Sequence, residues 1–172
     1  FAAHQFAMPI IILSVVGMIY ASLIAIKQDD IKRLIAYSSI AHIGLMAAAI
    51  FAGGSLGLQG VQVQMFNHGI NVIGLWILAN AIENTLGTRK LSELGGLATK
   101  APTMAILFVV LAFANIALPL TNAFIGEFLL FNGLFQYNIW IAAAAGVSII
   151  LGAVYTLQMV QKILFSEVSA VT

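Results

Sequence analysis

From Thr103 to Gln136 the chain runs for about 34 residues with a single charged side chain, Glu127, and a Pro-Leu-Thr-Asn interruption at Pro119–Asn122. One continuous helix of that length would measure about 50 Å, far more than the ~30 Å hydrocarbon core of a bilayer. A proline at such a position removes a backbone donor and clashes with the preceding turn. The stretch therefore reads as two half-helices joined by an unwound piece at about 119–122. Irregular backbone at membrane depth survives only where protein or enclosed water satisfies it.

Four other apolar runs, about 7–26, 33–52, 61–86 and 139–164, each suit one crossing. The loops between the runs alternate in charge. Lys27, Lys32 and Arg33 flank the first, Arg89, Lys90 and Lys100 lie in the third, and Lys162 marks the last exit. The loops at Gly53–Gly60 and Tyr137-Asn138 carry no charge. Basic loops favour the cytoplasmic side, so five spans place the N-terminal end outside and the C-terminal end inside. Composition agrees: 62% of residues are hydrophobic and 8% charged, against about 25% charged in soluble domains. A net charge of +1 spread over short loops gives no footprint for nucleic acid. With no cysteine, disulfides, thiolate metal sites and thiol catalysis are excluded.

The first run has neither a basic leader nor a small-residue cleavage site and does not read as a signal peptide. A start at Phe1 rather than Met, and an end at Ser169–Thr172 close behind an apolar run, suggest one bundle cut from a longer polytopic protein. The polar stretch Thr85–Thr103 is expected to hold a short amphipathic piece along the surface.

Three ionisable groups fall well inside the spans: His42, His68 and Glu127. Each is costly in hydrocarbon and must face protein or water. Helical spacing sets Ser38 and Ser39 on the face of His42, and Gln64, Asn67 and Asn71 around His68. Asn115, Thr121 and Asn122 precede Glu127. His42 and His68 suit either interhelical hydrogen bonding or proton transfer, because imidazole titrates near neutral pH. A lone intramembrane carboxylate is harder to explain by packing, and the second half-helix would aim its positive end at the break. Sodium would need a denser oxygen cage, so protons are the expected cargo, with no metal site. Gly44, Gly74, Gly133, Gly146 and Gly152 suit close helix packing, and Tyr137 and Trp140 suit interface anchors. Asp30 and Lys32, in Gln28-Asp29-Asp30-Ile31-Lys32-Arg33, suit a solvated turn, a lipid contact or an ion-pair relay at the surface.

The segment KQDDIKRLIAYSSIAHIG (Lys27–Gly44) resembles a motif of the antiporter-like subunits of respiratory complex I, a family shared with Mrp-type cation/proton antiporters and membrane-bound hydrogenases. QMFNHGINVIGLWILAN (Gln64–Asn80) and PLTNAFIGEFLLF (Pro119–Phe131) follow in the family's order and spacing, so the likeness covers essentially the whole chain. Gly126-Glu127-Phe128 is similar to the M-type branch, chain 4; other branches place lysine where Glu127 stands.

The resemblance implies an all-α membrane bundle matching helices 9 to 13, the second of two inverted repeats, with the fourth helix discontinuous. It implies a proton relay through His42, His68 and Glu127, and a role, less firmly drawn, for Asp30 and Lys32. Activity would be proton translocation within an NADH:quinone oxidoreductase, with no redox chemistry and no cofactor in this chain. NADH, flavin, iron–sulfur clusters and quinone would sit in partner subunits, and L- and N-type subunits would flank this one. The setting would be an energy-transducing membrane, a bacterial inner membrane ahead of a mitochondrial one. An Mrp or hydrogenase subunit, or a purely structural membrane subunit, are the alternatives. Many members carry glycine after the proline of the break. Leu120 here implies a stiffer or differently shaped break.

Overall fold

The computed structural model describes residues 5–167; the chain ends weighed above, Phe1 and Ser169–Thr172, lie outside them. It is an all-helical membrane bundle. Helix α1 spans Ala7–Ile26, α2 Ile31–Ala52 and α3 Ser55–Leu86. A single turn, α4 (Leu97–Lys100), precedes α5 (Pro102–Asn115), α6 (Asn122–Tyr137) and α7 (Ile139–Val160), which runs on into a π-helical turn at Gln161–Phe165. Helices α1, α2, α3 and α7 with its π-turn are each long and apolar enough to cross a membrane. The discontinuous fourth passage is shared between α5 and α6.

Local chemistry explains the boundaries. Asp30 caps α2, its carboxylate accepting from the backbone N–H of Lys32 (2.9 Å) and Arg33 (3.1 Å). The helix therefore starts at Ile31, ahead of the 33 that hydropathy indicates. Asn138 caps α7 in the same way through Trp140 and Ile141. Gly53 and Gly87 end α2 and α3 in the left-handed conformation that glycine adopts without penalty. Helix α3 begins at Ser55 rather than near 61, absorbing most of a stretch that composition alone assigns to a loop. The reason lies in its neighbour. A Cβ on Gly60 would sit 2.7 Å from the Leu130 backbone nitrogen, and one on Gly133 would sit 2.6 Å from the Gly57 Cα. Gly57, Gly60, Gly126 and Gly133 thus form a seam on which α3 and α6 touch backbone to backbone. Of the glycines singled out by sequence, Gly133 belongs to this seam and Gly44 meets Met18, whereas Gly146 faces open space.

The break covers residues 116–121. Thr121 N donates to the Leu118 carbonyl at 3.0 Å across Pro119 and Leu120, and Leu120 has φ +77°. Proline at the second position and positive φ at the third are the signature of a type II turn. Leu120 therefore takes the backbone shape that glycine would supply, at a cost of about 1–2 kcal/mol. It does so with its side chain fully exposed, where nothing obstructs it. The break is strained at Leu120, and Ala117, with φ +52°, is a second non-glycine residue in it with positive φ.

Two apolar cores fill the bundle. One, at the end bearing Arg89 and Lys90, includes Ile31, Ile35, Leu75, Phe108 and Ile163. The other includes Ile11, Val15, Leu45, Leu130 and Ala145. Between them, along each helix that joins both, most of the buried polar residues occur: Ser22 on α1, Ser38 on α2, Gln64, His68 and Asn71 on α3, and Ser148 on α7, while Thr156 lies within the first core. Asn115 and Glu127 flank the break at the same level. The outward faces stay apolar, as at Leu13, Phe66, Ile73 and Ile150, which suits lipid rather than water.

The basic loops converge. Ile31 N donates to the Arg89 carbonyl (3.0 Å) and Leu91 N to the Asp29 carbonyl (2.6 Å), pairing the first loop with the third. The end of the last helix joins them, with the Glu167 backbone against Gly95. The Thr85–Thr103 stretch does contain a helical piece, but it is only the one turn of α4, anchored by the buried Leu97.

Candidate proton-relay site

Glu127 reaches the middle of the bundle because Gly126 allows α6 to press against α3. A Cβ on Gly126 would fall 2.5 Å from Gln64 Oε1 and 3.0 Å from the Gln64 backbone nitrogen. The next side chain along α6 then turns toward α2, where His42 Nδ1 lies 3.4 Å from Glu127 Oε1. Both side chains are about nine-tenths buried. His68 also meets His42, with ring centroids 4.9 Å apart and planes tilted by 42°. His42 thus contacts both His68 and Glu127, one residue from each of three helices. His42 Nε2 is buried without a hydrogen-bond partner. The middle member thus has one nitrogen engaged by the carboxylate and the other uncommitted.

The polar residues expected to accompany these three do other work. Asn67 Nδ2 donates to the Asn122 backbone carbonyl (2.7 Å), and Asn122 Nδ2 donates to Asn71 Oδ1 (3.2 Å). Those bonds tie the start of α6 to α3 rather than touching His68 or Glu127. Thr121 Oγ1 donates to the Leu118 carbonyl, so its hydroxyl belongs to the turn. Ser39 bonds back to Ile35, and Ser38 accepts from Asn115 Nδ2 (3.3 Å). Sequence spacing found the polar layer but not its wiring. Glu127 lies in the second turn of α6, and a helix dipole acts mainly within the first, so the dipole counts for less than the break suggests.

Lys32 and Asp30 lie apart from the relay; Lys32 is about 15 Å from His42 along α2. Lys32 Nζ pairs with Glu83 (2.5 Å), donates to Asn80 Oδ1 (3.2 Å) and stands 5.6 Å from the centre of the Trp76 ring. Asp30 adds an ion pair with Arg89 (2.7 Å) to its capping role. Glu83 went unnoticed in the sequence, although Trp76, Asn80 and Glu83 recur on one helical face. The same signal marks Ser148 and Tyr155, seven residues apart on α7, which line a small cavity with His42 and Glu127. Among the described residues no cluster of three or more His, Asp or Glu side chains could hold a metal ion.

This pattern of a broken helix, an intramembrane glutamate and two facing histidines can be set beside known proteins. The NADH:quinone oxidoreductase/Mrp antiporter transmembrane family matches residues 1–152. The chain belongs to this family. Subunit M of the NADH-quinone oxidoreductase of Rickettsia prowazekii is 40% identical over 168 residues, covering 98% of this chain and 34% of that protein. The subunit M of Rhodobacter capsulatus is likewise 40% identical, over 92% of this chain and 31% of its own length. Among solved structures, a chain of respiratory complex I from Thermus thermophilus with bound NADH superposes with a TM-score of 0.94 at 31% identity, covering 98% of this chain and 36% of that one. A chain of the Mrp complex from Dietzia sp. gives 0.91 at 23% identity, covering 96% of this chain and 31% of its own, a likeness of fold. The chain spans about a third of the length of the family members it matches.

Proposed function

We propose that this chain is the relay-bearing part of a subunit M that moves protons across the membrane within an NADH-quinone oxidoreductase. The observation that carries the reading is the unbroken contact of His68, His42 and Glu127 between two apolar cores. In one transfer, His42 takes a proton at Nε2 from the His68 side and releases the proton on Nδ1 to Glu127 Oε1. The pair passes from imidazolium and carboxylate to imidazole and carboxylic acid. The proton arriving at Nε2 neutralises the single negative charge of the pair, and the hand-over from Nδ1 to Oε1 leaves it neutral, so neither step adds uncompensated charge to a low-dielectric interior, where such a charge is expensive. Glu127, beside the break, then discharges toward the outer face.

NADH oxidation, with its flavin and iron–sulfur clusters, and quinone reduction belong in this reading to partner subunits. L- and N-type subunits are the expected neighbours, and a bacterial inner membrane the expected location. The likeness to subunit M at 36–40% identity supports this setting. The test is Glu127→Gln in the full subunit, assembled and reconstituted in vesicles. It keeps the size of the side chain and removes its titratable proton. Protons moved per electron should fall, and Glu127→Asp should retain part of the activity. Unchanged stoichiometry in Glu127→Gln would defeat the proposal.

A further inference from the structure

A cavity of about 20 Å³ adjoins the relay, with His42, Glu127, Ser148 and Tyr155 as its polar wall and Met18 and Leu45 among its apolar lining. One water needs roughly 10–15 Å³ by this kind of measure, together with two to four polar partners. The cavity has room for one water and offers four partners.

The hydrogen bonds on its Ser148 side have fixed directions. Ser22 gives its only hydroxyl proton to the Met18 carbonyl at 2.8 Å. In the 3.0 Å contact between Ser22 and Ser148, the donor must therefore be Ser148. With its proton committed, Ser148 meets the cavity as an acceptor. The chain Ser148–Ser22–Met18 ends on a backbone carbonyl, which has no proton to pass on. On the other side, Asn115 donates to Ser38, which neighbours the Tyr155 phenol. The phenol is almost wholly buried and lines the cavity.

We propose that Tyr155 and Ser148, backed by Ser22, hold one water against Glu127 and orient it, so that protons reach Glu127 from His42 and cannot leak along α1 and α7. The water accepts from Tyr155, donates one proton to Ser148 and the other to the Glu127 carboxylate. Tyr155, Ser148 and Ser22 are positioning residues; the proton itself travels between His42 and Glu127. With the α1/α7 side closed, the other approach to Glu127 is a groove at the break, walled by Ile116, Ala117, Phe124 and Phe128. This inference rests on the relay reading above.

The test uses the whole reconstituted complex and the infrared carboxyl band of Glu127, assigned by its loss in Glu127→Gln. Tyr155→Phe and Ser148→Ala should each shift that band, remove an ¹⁸O-water-sensitive O–H band, and slow pumping at least threefold. Ser148→Thr, which keeps the hydroxyl, should preserve all three. Tyr155→Phe keeps the ring and its packing, so it carries the test if Ser148→Ala does not assemble. Both bands unmoved in Tyr155→Phe, with Glu127→Gln unable to pump, overturns the water site alone. Normal pumping in Glu127→Gln overturns the relay beneath it. A Glu127 band that moves in Ser148→Ala but not in Ser22→Ala removes Ser22 from the proposal.

Discussion

Two parts of this bundle pair acids with nitrogen bases, and they do so in opposite ways. At the basic end, Lys32, Glu83, Asp30 and Arg89 form short contacts, with the further Arg89–Glu83 approach at 3.9 Å. Each of these four charges has an opposite partner, and Lys32 has an amide and an indole besides. In the middle layer, Glu127 has one long contact to His42, and His42 has a nitrogen with none. A fully compensated cluster at the membrane surface is a clasp, because no protonation change there improves its bonding. An under-compensated pair between two apolar cores can exist in either of two proton arrangements, and that is the property a relay requires.

The largest effect expected from this contrast is in the middle layer. His42→Phe keeps a ring and removes both nitrogens; proton translocation in the assembled complex should fall at least tenfold with the amount of assembled complex little changed. If His42→Phe lost assembly and pumping in proportion, the middle layer would be a clasp as well. Next in size is Leu120→Gly, which should stabilise the subunit by about 1 kcal/mol by relieving the positive φ. Thermal unfolding in detergent measures it, and a lower midpoint would show that the leucine side chain has a partner in the full assembly.

A smaller change is expected at the clasp. Glu83→Gln should cost only about 0.5 kcal/mol, since the pair is partly exposed and screened, and should leave protons per electron unaltered. A loss of pumping there would move the surface cluster from clasp to relay. The smallest effect belongs to the loop pair Lys90–Glu93, where Lys90 Nζ stands 2.8 Å from the carboxylate. Hydrogen bonding to Lys90 and Thr88 holds the Glu93 carboxyl below its ordinary 4.5, and the bond to Glu93 raises Lys90 above 10.5. The Glu93 contribution is present above the unfolded value and is lost as pH falls through the depressed one. That of Lys90 is present below 10.5 and lost as pH rises through its raised value. Glu93→Gln should therefore lie slightly below the parent by a constant amount between about pH 6 and 9, a difference that vanishes toward the acid and alkaline ends of a melting series.

The membrane class, the five passages, their alternation and the discontinuity of the fourth were legible because each follows from a local or one-dimensional property: run length, hydropathy, loop charge and one proline. The three relay candidates were legible for a related reason, since an ionisable group inside a long apolar run stands out without coordinates. Their partners were not. Nothing in the spacing says that Asn67, Asn71 and Asn122 bond to one another across α3 and α6, or that Lys32 turns to Glu83. Both are contacts between residues roughly 50 apart. The start of α3 was misplaced for the same reason, because Gly57 and Gly60 weaken a helix when read alone and strengthen it against α6. Sequence by itself determined which groups must be buried at a cost. Only the packing decided which of them meet, because close approach depends on where a neighbouring helix lacks a side chain. Gly126 against Gln64 sets that approach, and Glu127 follows it to His42.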